Sequence, residues 1–174
     1  QGQPLTARSQ SRGLDAAGRI VVFLQVLDAV SFAHARHVIH RDLKPSNILV
    51  NDQGEVRLLD FGVARLLQAE TRAPSLTRNF GRALTPEYAS PELLRGEPID
   101  VRSDIYSLGV VLHELLTGRR PTLAELSASR PDDAVHAVVA RALAPLPADR
   151  QASVTEFAAH LRGAVEDDAA LCAG

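Results

Sequence analysis

His40-Arg41-Asp42-Leu43-Lys44-Pro45-Ser46-Asn47, followed after twelve residues by Asp60-Phe61-Gly62, is the stretch on which the fold of this 174-residue chain turns. Asp42 stands five residues before Asn47, and Asn47 thirteen before Asp60. Between them, Ile48-Leu49-Val50 and Glu55-Val56-Arg57-Leu58-Leu59 flank Asn51-Asp52-Gln53-Gly54. Short apolar-rich runs around a turn-forming tetrapeptide predict two strands and a hairpin. Oxygen-bearing side chains, Asn47 and Asp60, thus sit on separate loops at either side of one small ribbon.

Outward from the ribbon the pattern becomes helical. Ile20, Phe23, Leu24, Leu27, Val30 and Phe32 keep helical spacing and predict a long helix from Leu14 to about Arg36. Val38-Ile39 reads as a short extended piece, and residues 1–13 as loop or a weak short helix. Downstream, residues 63–89 are rich in Pro, Gly, Ser and Thr, and an irregular segment of that length in a small domain is usually functional. Ser90-Pro91-Glu92 opens a helix with Ser as N-cap and Pro at its first position. A second helix is expected from Asp104 to Thr117, ended by Gly118, and a third after Asp132-Asp133. Ser153 with Glu156 forms a capping box for a last helix to about Val165.

Composition narrows the class. With 45% hydrophobic and 23% charged residues and a net charge of −2, the chain fits a single globular domain with its own core. It is too apolar for a disordered segment and too near neutrality for an electrostatic nucleic-acid footprint. The longest run of large apolar residues is Ile20 to Leu24, short of the ~20 that a bilayer span requires, and Gln1 to Gln10 is no secretory signal. The single Cys172 excludes an internal disulfide, so a cytoplasmic location is expected. There is no Met, which suggests part of a longer product. Lys44 is the only lysine among 19 basic residues, in a chain otherwise biased to Arg and Ala as in GC-rich bacterial genomes. A lysine kept against that bias suggests a site that needs a compact ammonium.

His40 to Asn47 and Asp60 to Gly62 closely resemble the catalytic loop and metal-binding loop of the eukaryotic-type (Hanks-type) protein kinases, H-R-D-L-x-x-x-N and D-F-G. The form Asp-Leu-Lys-Pro-x-Asn resembles the serine/threonine-specific branch. Three further segments continue the likeness in order. Thr85-Pro86-Glu87-Tyr88-Ala89-Ser90-Pro91-Glu92 is similar to G-T-x-x-Y-x-A-P-E, with Leu84 for Gly and Ser90 for Ala. Ser103 to Gly109 resembles the family's central buried helix, and Pro147-Ala148-Asp149-Arg150 the loop that gives an Arg to the Pro-Glu carboxylate. The resemblance implies an α+β, protein-kinase-like fold of which only the C-terminal lobe is present, mainly α-helical with a small β-ribbon. It implies residues 1–13 as a post-hinge segment, 14–166 as the lobe (catalytic loop 40–47, metal loop 60–62, activation segment 60–92), and 167–174 as a tail.

Roles follow residue by residue. Phosphoryl transfer needs an aligned nucleophile and positive charge on the moving group, with ATP and Mg²⁺ as implied ligands. Asp42 would orient the substrate hydroxyl and accept its proton, and Lys44 would place an ammonium on the γ-phosphate. Asn47 and Asp60 would supply oxygen ligands to Mg²⁺. Ser46 and Leu49 would join Lys44, Asn47 and Asp60 in nucleotide binding, Leu49 as floor of the adenine pocket. Thr85 would contact Asp42 and Lys44. His40 and Phe61 would pack beneath the site. Arg41 would hold a phosphate or carboxylate of the long loop, in which Thr71, Ser75 and above all Thr77 are candidate phosphosites. Glu92 and Arg150 would form a buried bidentate pair, with Asp104 as a backbone anchor for the catalytic loop.

The likeness stops at one lobe. Gly2, Gly13 and Gly18 are the only glycines before the catalytic loop and do not fit G-x-G-x-x-G; no second Lys exists to hold the α/β-phosphates, and the first Glu is Glu55. An N-lobe is therefore expected upstream, and the isolated chain is expected to be inactive. Thr122 to Arg130 leaves room for a short helix at most where the family has a longer docking stretch. A protein carrying Ser or Thr is the expected substrate, with neither nucleic acid nor membrane span as partner. The alternative is a one-lobed pseudokinase or binding module, its uncovered apolar face capturing a partner. A metal hydrolase built on His34, His37 and His40 fails, because H-E-x-x-H is not present.

Overall fold

The computed structural model describes residues 2–59, 85–122 and 133–172, with side chains described as far as Asp167. Elements within these ranges run β1 (Gln3–Pro4), α1 (Leu5–Ser11), α2 (Ala16–His34), β2 (Ile48–Val50), β3 (Val56–Leu58), α3 (Pro91–Leu94), α4 (Val101–Thr117), α5 (Ala134–Ala142) and α6 (Val154–Cys172). Single 3-10 turns at Pro45–Asn47 and Pro147–Asp149 complete them. The chain is mainly helical, with one small antiparallel sheet of order β1-β2-β3. Ile48 pairs with Leu58 and Val50 with Val56 across the hairpin, while Gln3 pairs with Val50 on the other edge.

Helix α2 starts where Asp15 accepts a hydrogen bond from the Gly18 amide at 2.8 Å, and it buries Ile20, Phe23, Val26, Leu27 and Val30. Its length and apolar character would suit a membrane span, but those side chains form the domain core. Phe23 meets Phe157 of α6 edge-on, ring centres 6.1 Å apart, a favoured aromatic geometry. Helix α4 is enclosed from Ser103 to His113. Its Gly109 lets α5 approach so closely that an added Cβ would lie 2.9 Å from that of Ala142. It ends at Gly118, whose φ of +78° is the left-handed conformation that favours glycine.

Several boundaries move from the sequence expectation. Of the two readings for residues 1–13, the short helix is the one adopted, over residues 5–11, with Leu5 and Ser9 buried. Val38-Ile39 lies in no regular element and stays outside the sheet, which has β1 as an unexpected third strand. Helix α4 begins at Val101, because Asp100 caps it by accepting from the Arg102 amide, and α6 continues to Cys172. Asp60, Phe61, Gly62, Thr71, Ser75, Thr77 and most of the stretch from Thr122 to Arg130 lie outside the described residues.

Candidate active site

The loop from Ala35 to Lys44 leaves the C-terminal end of α2 and reaches β2 through the 3-10 turn. It contains two non-glycine residues in the left-handed region, His37 at φ +58° and Arg41 at φ +71°. Such a conformation costs roughly 1–2 kcal/mol and persists only where surroundings over-determine it. At Arg41 the surroundings are a carboxylate. Asp104, fully buried in the first turn of α4, accepts the Arg41 amide at 2.9 Å through Oδ1 and the His40 amide at 2.8 Å through Oδ2. Burial pushes the Arg41 guanidinium down from its ordinary value, an effect that the charge of Asp104 opposes.

Past Arg41 the polar groups converge. Lys44 Nζ lies 2.9 Å from Asp42 Oδ2 and donates to Thr85 Oγ1 at 2.6 Å. Asn47 Nδ2 donates to the Asp42 carbonyl at 2.8 Å and to Asp42 Oδ2 at 3.0 Å, which turns its own Oδ1 to the opposite side of the amide. Asp42 Oδ2 is therefore doubly engaged, while Oδ1 has no hydrogen-bond partner among the described residues. Below, His40 is 1% exposed and its Nε2–H donates to the Leu59 carbonyl at 2.8 Å. The Leu59 amide donates to the Asn47 carbonyl at 2.9 Å. The segment that leads toward Asp60 is thus tied to the 40–47 loop through both main-chain groups of Leu59.

Ser46 is exposed on the 3-10 turn and lines, with Pro4, Thr6, Lys44, Thr85, Tyr88 and Glu114, an open groove of about 380 Å³. Leu49 points to the side of β2 opposite the buried Ile48 and Val50 and is half-buried, with Gly2 against it. Farther off, Arg150 grips Glu92 through two bonds of 2.7 and 2.9 Å. Burial alone would push the Glu92 carboxyl up, but the bonds from Arg150 and Ser103 outweigh it and hold it at about 2. The structure thus brings Asp42, Lys44, Asn47 and Thr85 into one cluster, sets Ser46 and Leu49 at its margin, and keeps Glu92, Arg150 and Asp104 as its supports. The sequence reading passed over Glu114, whose Oε2 accepts from Tyr88 Oη at 2.6 Å at the groove wall. A lone acid beside His113 in the mostly apolar run from Leu108 to Leu116 was the available signal. Among the described residues no group of three His, Cys, Asp or Glu side chains could hold a metal ion by itself.

Comparison with known proteins places this geometry. The sequence profile described as "Protein kinase domain" matches residues 3–161. The chain is 41% identical over 170 residues to the serine/threonine-protein kinase pkn3 of Myxococcus xanthus, covering 83% of this chain and 31% of that protein. It is 39% identical over 162 residues to the probable serine/threonine-protein kinase CE0033 of Corynebacterium efficiens, covering 80% of this chain and 24% of that protein. The chain therefore spans less than a third of these relatives. The crystal structure of a double mutant of the Mycobacterium tuberculosis PknI kinase domain matches with a TM-score of 0.70 and 30% identity, over 94% of this chain and 62% of that one.

Proposed function

We propose, for a chain that belongs to the protein kinase domain family, that it supplies the catalytic loop of a bacterial serine/threonine kinase whose nucleotide clamp is completed by an N-lobe encoded upstream. Residues 14–166 are then the C-lobe, 1–13 the post-hinge segment and 167–174 a tail. The reaction is ATP-dependent phosphoryl transfer to a Ser or Thr hydroxyl of a protein, in the cytoplasm. The observation that carries this reading is the division of labour at Asp42. Oδ2 is immobilised by Lys44 and Asn47, so Oδ1 is the oxygen free to accept from an incoming hydroxyl.

A carboxylate held this way orients the nucleophile and takes its proton as the new P–O bond forms. Lys44 stands beside it, with its ammonium shared between Asp42 and Thr85, and can follow charge onto the transferred phosphoryl group. Thr85 fixes where that ammonium sits. The donor chemistry suits Mg²⁺: the amide oxygen of Asn47, with Asp60 thirteen residues on, is a hard oxygen pair that leaves positions for water and phosphate. When bound, the ion would neutralise charge on the β- and γ-phosphates. Leu49 offers an apolar floor for the adenine ring.

The test is transfer of labelled γ-phosphate to a Ser/Thr-bearing protein by the complete reading frame that contains this segment. Asp42→Asn is expected to lower kcat by about 10²–10⁴, and the 174-residue chain alone to transfer nothing measurable. Robust transfer by the short chain, or an Asp42→Asn variant as active as its parent, overturns the reading. No transfer by the complete frame would favour the partner-binding alternative.

A further inference from the structure

A second cavity lies beyond the cluster at Asp42, between α1 and the end of α4, and holds about 300 Å³. Thr6 and Glu114 line both it and the groove beside Lys44, so the two spaces adjoin. Two opposite charges, Arg19 of α2 and Glu114 of α4, line this cavity, yet no ion pair joins them. Arg19 is committed on one side only. Its Nε donates to the Leu14 carbonyl at 2.8 Å, and its Nη1 to those of Leu115 and Leu116 at 2.8 and 3.3 Å. Nη2 has no hydrogen-bond partner among the described residues. Nor has Glu114 Oε1, since Tyr88 donates to Oε2. We infer that this cavity is a second binding site for the protein substrate, taking the main chain of a segment outside the residues next to the acceptor hydroxyl: Arg19 Nη2 donates to a peptide carbonyl and Glu114 Oε1 accepts from a peptide N–H. The inference rests on the kinase reading for the identity of that substrate.

Charge decides the class of ligand. A cationic side chain that gained Glu114 would meet Arg19, and an anionic one that gained Arg19 would meet Glu114. The carbonyls at the end of α4 also offset part of the Arg19 charge. A neutral group with one acceptor and one donor satisfies both free positions, and the peptide group is such a pair. The dimensions agree. From Thr6 to Gln10 along α1, and from Glu114 to Gly118 along α4, each wall advances one helical turn, about 6 Å. An extended chain covers that distance in about two residues. Three carbonyls hold the guanidinium in place before any ligand arrives, so little ordering is left to be done on binding. Recognition through main-chain groups makes the site sensitive to the length of the substrate segment and tolerant of its sequence.

The test uses the complete reading frame and two nested peptides, each with one acceptor Ser in a sequence otherwise of Ala and Gly. One carries two residues on each side of the Ser and the other six. The longer peptide is expected to exceed the shorter in kcat/KM by about tenfold, the scale of one hydrogen bond to a charged group. N-methylation scanned along the longer peptide should remove that advantage at one or two positions outside the inner pair. Arg, Glu or Leu side chains at those positions should change kcat/KM by less than about threefold. Arg19→Lys keeps the charge but has a single nitrogen for three carbonyls and the ligand, and should cut the long-to-short ratio to about two. If that variant does not fold, the N-methyl scan on the parent decides alone. A long-to-short ratio near one, the same ratio in parent and variant, or a preference above tenfold for Arg or Glu overturns the inference. The same peptides with Ala in place of the Ser, read by fluorescence anisotropy, should show the ratio in Kd without any transfer. An inactive parent would therefore count against the kinase reading, while the Kd ratio still decides this inference.

Discussion

Arg150→Lys keeps the charge of a buried pair and removes its shape, which makes it the sharpest test of what holds the lobe together. The Arg150 side chain is 0% exposed and the Glu92 side chain 3%. All five guanidinium N–H groups are used. Nε donates to the Ala144 carbonyl at 2.8 Å, Nη1 to Glu92 Oε1 and the Arg102 carbonyl, and Nη2 to Glu92 Oε2 and the Pro145 carbonyl. The guanidinium carbon also lies 4.9 Å from the ring centre of Tyr106. A lysine ammonium has three donors on one atom and cannot span both carboxylate oxygens and three carbonyls, so at least two buried acceptors lose their partner. At ~1–3 kcal/mol per orphaned buried group, the loss is about 2–6 kcal/mol. Arg150→Ala, which strands the Glu92 charge, belongs in the range of roughly 3–5 kcal/mol found for broken buried pairs. Urea unfolding of the chain, with m-values compared, would read both. If charge were what mattered, Lys would recover most of the stability. Arg150→Lys within about 1 kcal/mol of the parent would refute the reasoning, because it would mean that the fork geometry contributes nothing.

Acid should act on the same pair. The Glu92 carboxyl is held at about 2 against an ordinary 4.5, so the native state binds fewer protons there than the unfolded chain, and its contribution is full above about pH 4.5 and lost as pH falls through 2. At ~1.4 kcal/mol per unit that is about 3 kcal/mol, and urea midpoints from pH 6 down to pH 2 should show a fall that shrinks in Glu92→Gln. Gly109→Ala and Gly163→Ala should have opposite signs. At Gly109 the new methyl would lie 2.9 Å from Ala142 Cβ and 3.2 Å from Leu143 Cδ2, and overpacking of about 1–3 kcal/mol outweighs the ~1 kcal/mol helix gain. At Gly163 nothing lies within 4 Å, so the helix gain stands alone and the melting temperature should rise. Equal shifts in one direction would contradict the close approach of α4 and α5.

What the sequence disclosed and what it withheld divide along the distance over which residues interact. Asp42, Lys44 and Asn47 were legible because their spacing is local: all three fall within one loop and one 3-10 turn. The hairpin was legible for the same reason. Strand β1 was not, since two residues that include Pro4 carry no pattern of their own and are strand only by pairing with Leu49 and Val50. Helix α4 was expected from Asp104, just ahead of its apolar run, but it starts three residues earlier at Val101 because Asp100 caps it; the carboxylate of Asp104 accepts from the amides of residues 40 and 41. Helix α6 outlasts its apolar periodicity: Glu166, Ala169, Ala170 and Leu171 are good helix formers, although Asp167 and Asp168 between them are not. Tyr88 and Glu114 lie 26 residues apart, and His34 and Asp104 lie 70 apart. No window on the sequence joins such pairs.

Helix α4 is where these separate observations become one. Its middle, from Ile105 to Leu112, is buried and apolar except for Ser107, whose hydroxyl donates back to the Ser103 carbonyl, and its polar contacts with other elements are made toward the ends. At the first turn, the Arg102 carbonyl takes Arg150, Ser103 donates to Glu92 at 2.6 Å, and Asp104 holds the catalytic loop. At the last turns, Glu114 takes the hydroxyl of Tyr88, and the carbonyls of Leu115 and Leu116 accept from Arg19, which also bonds the Leu14 carbonyl before α2. The end groups of this buried helix are met by Asp100 at its start and by Arg19 at its last carbonyls, while the side chains of Asp104 and Glu114 near the two ends reach the site. One helix therefore fixes both the position of residues 40 and 41 and that of the groove wall. Because both ends belong to one rigid rod about 25 Å long by helix geometry, a displacement of α4 cannot move the catalytic loop without also moving Glu114. Gly109→Ala pushes α4 away from α5 at the middle of that rod, far from either set of polar contacts. Its expected signature is thus joint: faster exchange at the Arg41 amide together with a weakened Tyr88–Glu114 hydrogen bond, at unchanged side chains in both places.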